Sequence, residues 1–300
     1  MPRALFVGLC TLDLIQLVPH VPAANEKLTA LAQLTAAGGP ATNAAATYSH
    51  LGSDATLLTA IGSHPLAAAI THDLANLGVN VIDLTQASPE PPALSSILVT
   101  AGTGERAVAS INASQHSALP LPRDPAALIE AASLVAFDAH HMDLALAVAP
   151  AARALGCLTL LDGGSWKPRT EHLLPSIDVA VCSADFHPPA APSPTPSGTL
   201  AYLHAQGVPY AAITRGPAPI LWSTPDATGE LPVPHLPVLD TLGAGDVLHG
   251  ALAHHLADAA PLDTHRFTRA LAQAAEVASR ACASFGTRAW MEAPVPPGLP

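Results

Sequence analysis

Residues 240–246 read DTLGAGD and run on into VLHGALAHHLA over 247–257. Two glycines and an alanine lead into an apolar-periodic stretch, so the spacing predicts a helix over 245–257 whose start carries no bulky side chain. The first N–H groups of a helix lack intrahelical partners, and together with the macrodipole they favour an anion. Asp246 falls in that first turn, where its carboxylate can take a proton from an attacking hydroxyl. Amides that stabilise charge on a transferred group, beside a carboxylate that activates a nucleophile, suit phosphoryl transfer. An ordinary glycine turn, with Asp246 as a helix-start residue, satisfies the same letters.

Upstream of this stretch, strand-like and helix-like segments alternate. Short apolar runs over 4–9, 55–61, 133–138, 157–162, 177–183, 211–214 and 220–222 predict strands. Helical periodicity is expected over 40–51, 64–77, 143–155 and 266–284. Such alternation argues an α/β fold in three layers, with a mostly parallel central sheet flanked by helices. Two pieces break the pattern. Residues 95–112 (SSILVTAGTGERAVASIN) hold two β-rich arms around a Gly-Thr-Gly turn, and 28–34 reads as a further strand. They predict a small β lid formed by about 14–36 and 93–113. The proline-rich stretch over 188–198 is expected as an exposed loop, and no repeat or linker divides the chain, so 1–300 is read as one domain plus its lid.

Composition bounds the function. The chain has 300 residues, of which 49% are hydrophobic and 12% charged, which excludes intrinsic disorder. No stretch approaches the ~20 strongly apolar residues of a membrane span, and the start lacks a cationic signal-peptide region, so a cytoplasmic protein is expected. Asp and Glu outnumber Lys and Arg by 23 to 12, and Lys27 and Lys167 are the only lysines. That acidity gives no electrostatic reason to seek nucleic acid or an anionic membrane. Cys10, Cys157, Cys182 and Cys282 are widely spaced, which reads as reduced thiols, and the 15 histidines show no metal-binding spacing.

Two further constellations carry chemistry. Gly38-Gly39-Pro40-Ala41-Thr42-Asn43 again leads glycines into a helix, and Asn43 offers a donor and an acceptor to a polyol. Asp13 is read just past the end of the first strand, and the carboxyl ends of parallel strands are where α/β sheets bind ligands. A capping turn and a surface-loop aspartate are the bland readings of these two.

Together these residues resemble the ribokinase-like, or PfkB, family of carbohydrate and nucleoside kinases. DTLGAGD is similar to its C-terminal signature and GGPATNAA to its Gly-Gly…Asn signature, in the right order with a hairpin holding Gly104-Glu105-Arg106 between them. The resemblance implies a ribokinase-like fold and transfer of the ATP γ-phosphoryl group, with Mg²⁺, to a sugar hydroxyl, commonly the primary one. It implies Asp246 as base and Gly243, Ala244 and Gly245 as anion hole. Asp13, Thr11, Gly38, Gly39, Asn43, Asp138 and Asn112 fall to the substrate side, and Thr214 and Gly216 to the nucleotide. K⁺ is implied near Asp240 and the 286–290 region, and a homodimer through the lid. The family's Asn-x-x-Glu is absent: Ser183-Ala184-Asp185-Phe186 stands there, with Asp185 as partial substitute. The serine position, the GGP start and DTLGAGDVLHGALA are closest to a ketohexokinase-like and sulfofructose-kinase-like branch.

A phosphosugar acceptor needs cations for its phosphate, and the lid segments offer only Lys27 and Arg106, the latter free to face solvent. A nucleoside acceptor stacks on aromatics, which neither lid segment contains. An unphosphorylated sugar, ketoses included, is therefore expected, with His140 and His141 as specificity residues or simply solvated. A nucleoside kinase and a catalytically weak sugar-binding regulator are the alternatives.

Overall fold

The computed structural model describes residues 2–114, 119–258 and 261–292. The expected alternation is present. β1 (Arg3–Val7), β4 (Asp54–Thr59), β5 (Asn80–Asp83), β8 (Leu134–Phe137), β9 (Leu158–Gly163), β10 (Val179–Ser183) and β11 (Tyr210–Arg215) form the parallel part of one sheet. β12 (Ala218–Ser223) and β13 (Thr228–Leu231) extend it antiparallel, giving the order β13-β12-β11-β10-β9-β8-β1-β4-β5. The strands read as continuous apolar runs because both faces are covered. α1 (Pro40–His50), α2 (Ala67–Asn76), α7 (Ala244–Leu256) and α8 (Thr264–Ala281) pack on one face. α4 (Met142–Ala154), α5 (Thr170–Leu173) and α6 (Pro196–Ala205), with short α3 (Pro125–Ile129), cover the other. α9 (Ala289–Glu292) follows α8.

A second, four-stranded sheet has the order β3-β2-β6-β7, from β2 (Thr11–Val18), β3 (Ala32–Gly38), β6 (Leu94–Thr100) and β7 (Arg106–Ser110). β6 and β7 are the expected hairpin. One face buries Ile15, Ile97 and Val99 against Leu34, Leu242 and Phe285, so this sheet is anchored on the DTLGAGD segment and the chain after α8. No helix among the described residues is long and apolar enough to cross a membrane.

Three expectations are corrected. The apolar run from 4 to 18 is two strands of different sheets, separated only by Gly8–Cys10, so Asp13 lies inside β2, paired with Ala36 and Ser95, and not past a strand end. A short apolar run carries no mark of where the chain steps between sheets. The strand expected over 28–34 sits at Ala32–Gly38, ending on the first glycine of the pair. The loop expected over 188–198 ends early, because Thr195 caps α6, its Oγ1 accepting from the Gly198 amide at 3.2 Å, with proline at the helix start.

Candidate active site

Gly243 is the residue before α7, with φ 73° and ψ 5°, a left-handed conformation that suits glycine. It offers no side-chain cap, so the first amides of α7 keep their donors free of side-chain competition. A Cβ built on Gly245 meets nothing within 4 Å, so the ground in front of that turn is open. Asp246, in the same turn, accepts a hydrogen bond on Oδ2 from Asn43 Nδ2 at 2.7 Å. Asn43 comes from α1, whose entry is set by Gly39 at φ 95° followed by Pro40. α1 and α7 touch backbone to backbone: a Cβ on Gly250 would lie 2.3 Å from the Ala44 carbonyl oxygen. That close approach lets two short side chains, far apart in sequence, meet.

The lid strand β2 brings its own carboxylate. Asp13 is buried, its Oδ1 accepting from Thr11 Oγ1 at 2.6 Å, and a Cβ on Gly38 would fall 1.9 Å from its Oδ2. The bare glycine is thus what admits the Asp13 side chain. Burial pushes the Asp13 carboxyl up, against the pull of the Thr11 and Ser95 hydroxyls and of Arg288. Asp246 is pushed up to about 7, chiefly by burial and then by Asp162; the Asn43 hydrogen bond and His249 pull it down, and Asp13 adds to the rise. Asp162 lies at the β9 end, 3.3 Å from His249 Nδ1, and burial raises its own carboxyl in turn.

The structure therefore brings Asp246, Gly243, Ala244, Gly245, Asn43, Gly38, Gly39, Asp13 and Thr11 to one place. It treats others differently. Asp138, expected to face substrate, turns inward: its oxygens accept from the amides of Leu9 (2.8 Å), Ala41 (3.2 Å) and His140 (2.9 Å). It clamps the ends of β1 and β8 to the start of α1. Asp138→Asn should therefore cost stability, about 1–3 kcal/mol for each buried donor left facing an amide nitrogen, read by chemical unfolding. Unchanged stability with a raised sugar KM would restore the substrate-facing reading.

Asp240 is likewise committed, Oδ1 accepting from the Leu242 amide and Oδ2 from that of Gly286, both at 2.8 Å. Arg106, free by sequence to face solvent, donates to Thr241 Oγ1 at 2.9 Å, and Thr241 donates to the Gly104 carbonyl at 3.1 Å. The hairpin tip is thus fastened to the DTLGAGD segment.

Asn112 lies on a cleft of about 490 Å³ with His140, His141, Lys167 and Arg169. Asn112 (φ 51°), Ala139 (φ 59°) and Arg169 (φ 72°) are three of the four described non-glycine residues with positive φ, and all line this cleft. Strained backbone of this kind clusters where a fold shapes a site. Thr214 and Gly216 lie at the end of β11, Thr214 donating to the Cys182 carbonyl at 3.4 Å and Gly216 (φ 61°) turning the chain into β12. Asp185 is exposed just after β10. No hydrogen bond joins these three to the DTLGAGD segment among the described residues. Sequence reasoning missed Arg288, Asp162, His249 and Lys167. Lys167, as one of two lysines, and Asp162, closing the strand expected over 157–162 as Asp138 closes that over 133–138, carried a signal.

Residues 1–294 match the profile of the pfkB family carbohydrate kinases. The chain belongs to the PfkB family. As in that family, this PfkB chain is a sugar kinase. It is similar to a ribokinase-like protein of Agrobacterium tumefaciens, at 28% identity over 97% of this chain and 94% of that one, with a TM-score of 0.83. Two more distant structures share the fold. Ribokinase of Arabidopsis thaliana, complexed with ribose and ATP, is 19% identical over 95% of this chain and 93% of that one, with a TM-score of 0.72. Aminoimidazole riboside kinase of Salmonella enterica, complexed with its riboside and an ATP analogue, is 17% identical over 96% of each chain, with a TM-score of 0.73.

Proposed function

We propose that this PfkB kinase transfers the γ-phosphoryl group of ATP to a hydroxyl, the primary one, of an unphosphorylated sugar, ketoses included. The observation that carries this reading is the Asp246 carboxylate, held by Asn43 beside the open first turn of α7. Asp246 accepts the proton of the acceptor hydroxyl as that oxygen forms its bond to phosphorus, and the β–γ bridging bond breaks to leave ADP. The turn of Gly243, Ala244 and Gly245 is the anion hole, its Gly243 and Gly245 amides facing the charge on the transferring group while the Ala244 amide donates to the Thr241 carbonyl at 3.3 Å. Asp13, Thr11, Gly38, Gly39 and Asn43 hold substrate hydroxyls.

The cations near the site support an uncharged acceptor. Arg106 donates to Thr241, Arg169 is paired with Asp143 at 2.5 Å, and Arg288 is engaged with Asn43 and Ala37. Lys167 donates to the Ser165 carbonyl at 3.3 Å, and one such ammonium is little for a sugar phosphate. A nucleoside acceptor is the rival, since one structural neighbour binds a riboside. Against it, no Phe, Tyr or Trp lines the cleft among the described residues, and Trp166 nearby packs on Phe186 and Tyr202. An intact Asp246 and glycine turn speak against a regulator without turnover. The Gly-Gly-Pro start and DTLGAGDVLHGALA support the ketohexokinase-like and sulfofructose-kinase-like branch.

Among the described residues no three or more His, Cys, Asp or Glu side chains gather as a metal site. Mg²⁺ keeps its waters and is held mainly by substrate phosphates, with one carboxylate sufficient. Asp185, exposed at the end of β10, would hold it, and the ion would neutralise charge on the β- and γ-phosphates. For K⁺ the fitting group is Thr287 Oγ1, buried without a hydrogen-bond partner next to the Gly286–Asp240 contact. Thr214 and Gly216 would border the nucleotide. Leu14 and Leu94 are exposed on the lid face opposite Ile15 and Ile97, which supports pairing of two chains there. The free thiols support a cytoplasmic setting.

A coupled ADP-release assay over free sugars, nucleosides and sugar phosphates tests the reading. Free sugars should give the highest kcat/KM; a tenfold preference for nucleosides or phosphosugars would overturn it. Because a protonated acid cannot serve as base, kcat should climb with pH and level off above about 7, where the Asp246 carboxyl titrates. A flat profile from pH 5 to 8 would remove Asp246 from that role.

A further inference from the structure

Asn43 touches the proposed base, and its amide has two orientations that differ only in which end is oxygen. Its other neighbour decides between them. Arg288 Nη1 donates to Asn43 Oδ1 at 2.9 Å, and an arginine carries donors only. The NH₂ end must then face Asp246, whose ionised carboxylate carries acceptors only. Arg288 is itself fixed. Nη2 donates to the Ala37 carbonyl at 2.6 Å, Nη1 also reaches the Thr287 carbonyl at 3.2 Å, and Nε stands 3.7 Å from Asp73 Oδ2. Asp73 Oδ2 in turn accepts from the Ala37 amide at 2.8 Å. The Arg288 side chain is only 16% exposed, so this bracket between α2, β3 and α1 is shielded from water.

We propose that Arg288 is a positioning residue of phosphoryl transfer: it locks the Asn43 amide with one N–H on Asp246 and the second free for the acceptor oxygen. The inference rests on the reading of Asp246 as base. Without the guanidinium, the amide is free to turn its oxygen toward the carboxylate, and both groups leave their places. Arg288 also brings a positive charge near Asp13 and Asp246. The other charged or titratable groups bearing on Asp246 are Asp162 from β9, Asp13 from β2 and His249 from α7 itself.

The test is a double-mutant cycle of Arg288→Gln with Asn43→Ala, read as kcat, sugar KM and the pH profile of kcat. Arg288→Gln should lower kcat by about 30-fold in the parent, since misplacing a reacting group costs up to about 100-fold. Sugar KM should stay within about threefold, and the acid limb should move to higher pH as the nearby positive charge is lost. In the Asn43→Ala background the same change should cost less than about threefold, because the side chain it acts through is gone. Arg288→Lys should restore the acid limb but only part of kcat, as one ammonium cannot replace the fork. Equal losses in both backgrounds, or a loss confined to KM, would overturn the proposal. If the glutamine variant does not melt cooperatively, the lysine variant carries the cycle, its partial kcat loss again expected to vanish in the Asn43→Ala background and an equal loss in both backgrounds again overturning the proposal. Asp246→Asn run alongside separates the two readings: activity retained there removes the base, whereas inactivity there with an additive cycle removes only the role of Arg288.

Discussion

The Asp246→Asn variant should lose turnover by about a thousandfold, within the 10²–10⁴ range that a positioned general base contributes. The substitution is nearly isosteric, and its carbonyl oxygen can still accept from Asn43 Nδ2, so the α1–α7 contact survives. The proton acceptor does not. Sugar affinity by calorimetry should change by less than about fivefold, because Asp13, Thr11 and Asn43 remain to bind hydroxyls. Residual activity above a tenth of the parent would refute the role. A parallel loss of sugar binding would make Asp246 a ground-state contact instead. The same variant carries a stability signature with a definite sign. The Asp246 carboxyl titrates at about 7 in the folded chain and near the ordinary carboxylate value of 3.8 when unfolded. The folded state therefore binds the extra proton between those values, and the parent loses stability as pH climbs through that window. The asparagine variant escapes this loss, so its melting temperature should gain on the parent between pH 5 and pH 8.

Gly250→Val should be the most damaging change outside the site. Even an alanine Cβ there would sit 2.3 Å from the Ala44 oxygen and 2.7 Å from Thr47 Cβ, and backbone cannot move aside as a flexible side chain can. Overpacking of this kind costs about 1–3 kcal/mol for an added methyl, and valine adds more. The helices must part, and the 2.7 Å contact between Asn43 and Asp246 stretches with them. A kcat loss of about tenfold or more should therefore accompany the fall in melting temperature. Gly156→Ala is the matched control. It strains a left-handed residue (φ 75°) but meets nothing within 4 Å, so it should cost about 1 kcal/mol and leave kcat unchanged. Equal effects of the two on kcat would break the link between helix spacing and catalysis.

The fold was legible where its information is local. DTLGAGD and GGPATN announce helix starts through residues next to one another, and the alternation of apolar runs announces a parallel sheet. What was not legible depends on position in space. Asp13 looked like a loop residue because nothing in the letters marks the step from β1 to β2 across Gly8–Cys10. Asp138 carried the right residue type at a strand end, yet its oxygens are spent on three backbone amides. Weighing cations within lid segments alone overlooked Lys167 and Arg169, which reach the cleft from the chain after β9. Arg288 announces nothing, since Asn43 lies 245 residues away and Ala37 251.

Those long separations bear on synthesis. Asn43 and Asp246 are 203 residues apart, and Arg288 comes later still. A nascent chain on the ribosome displays its glycine pair and lid strands long before the DTLGAGD turn exists. Competence for phosphoryl transfer thus waits until residue 246 has been made, and a chain terminated before it has no assembled centre.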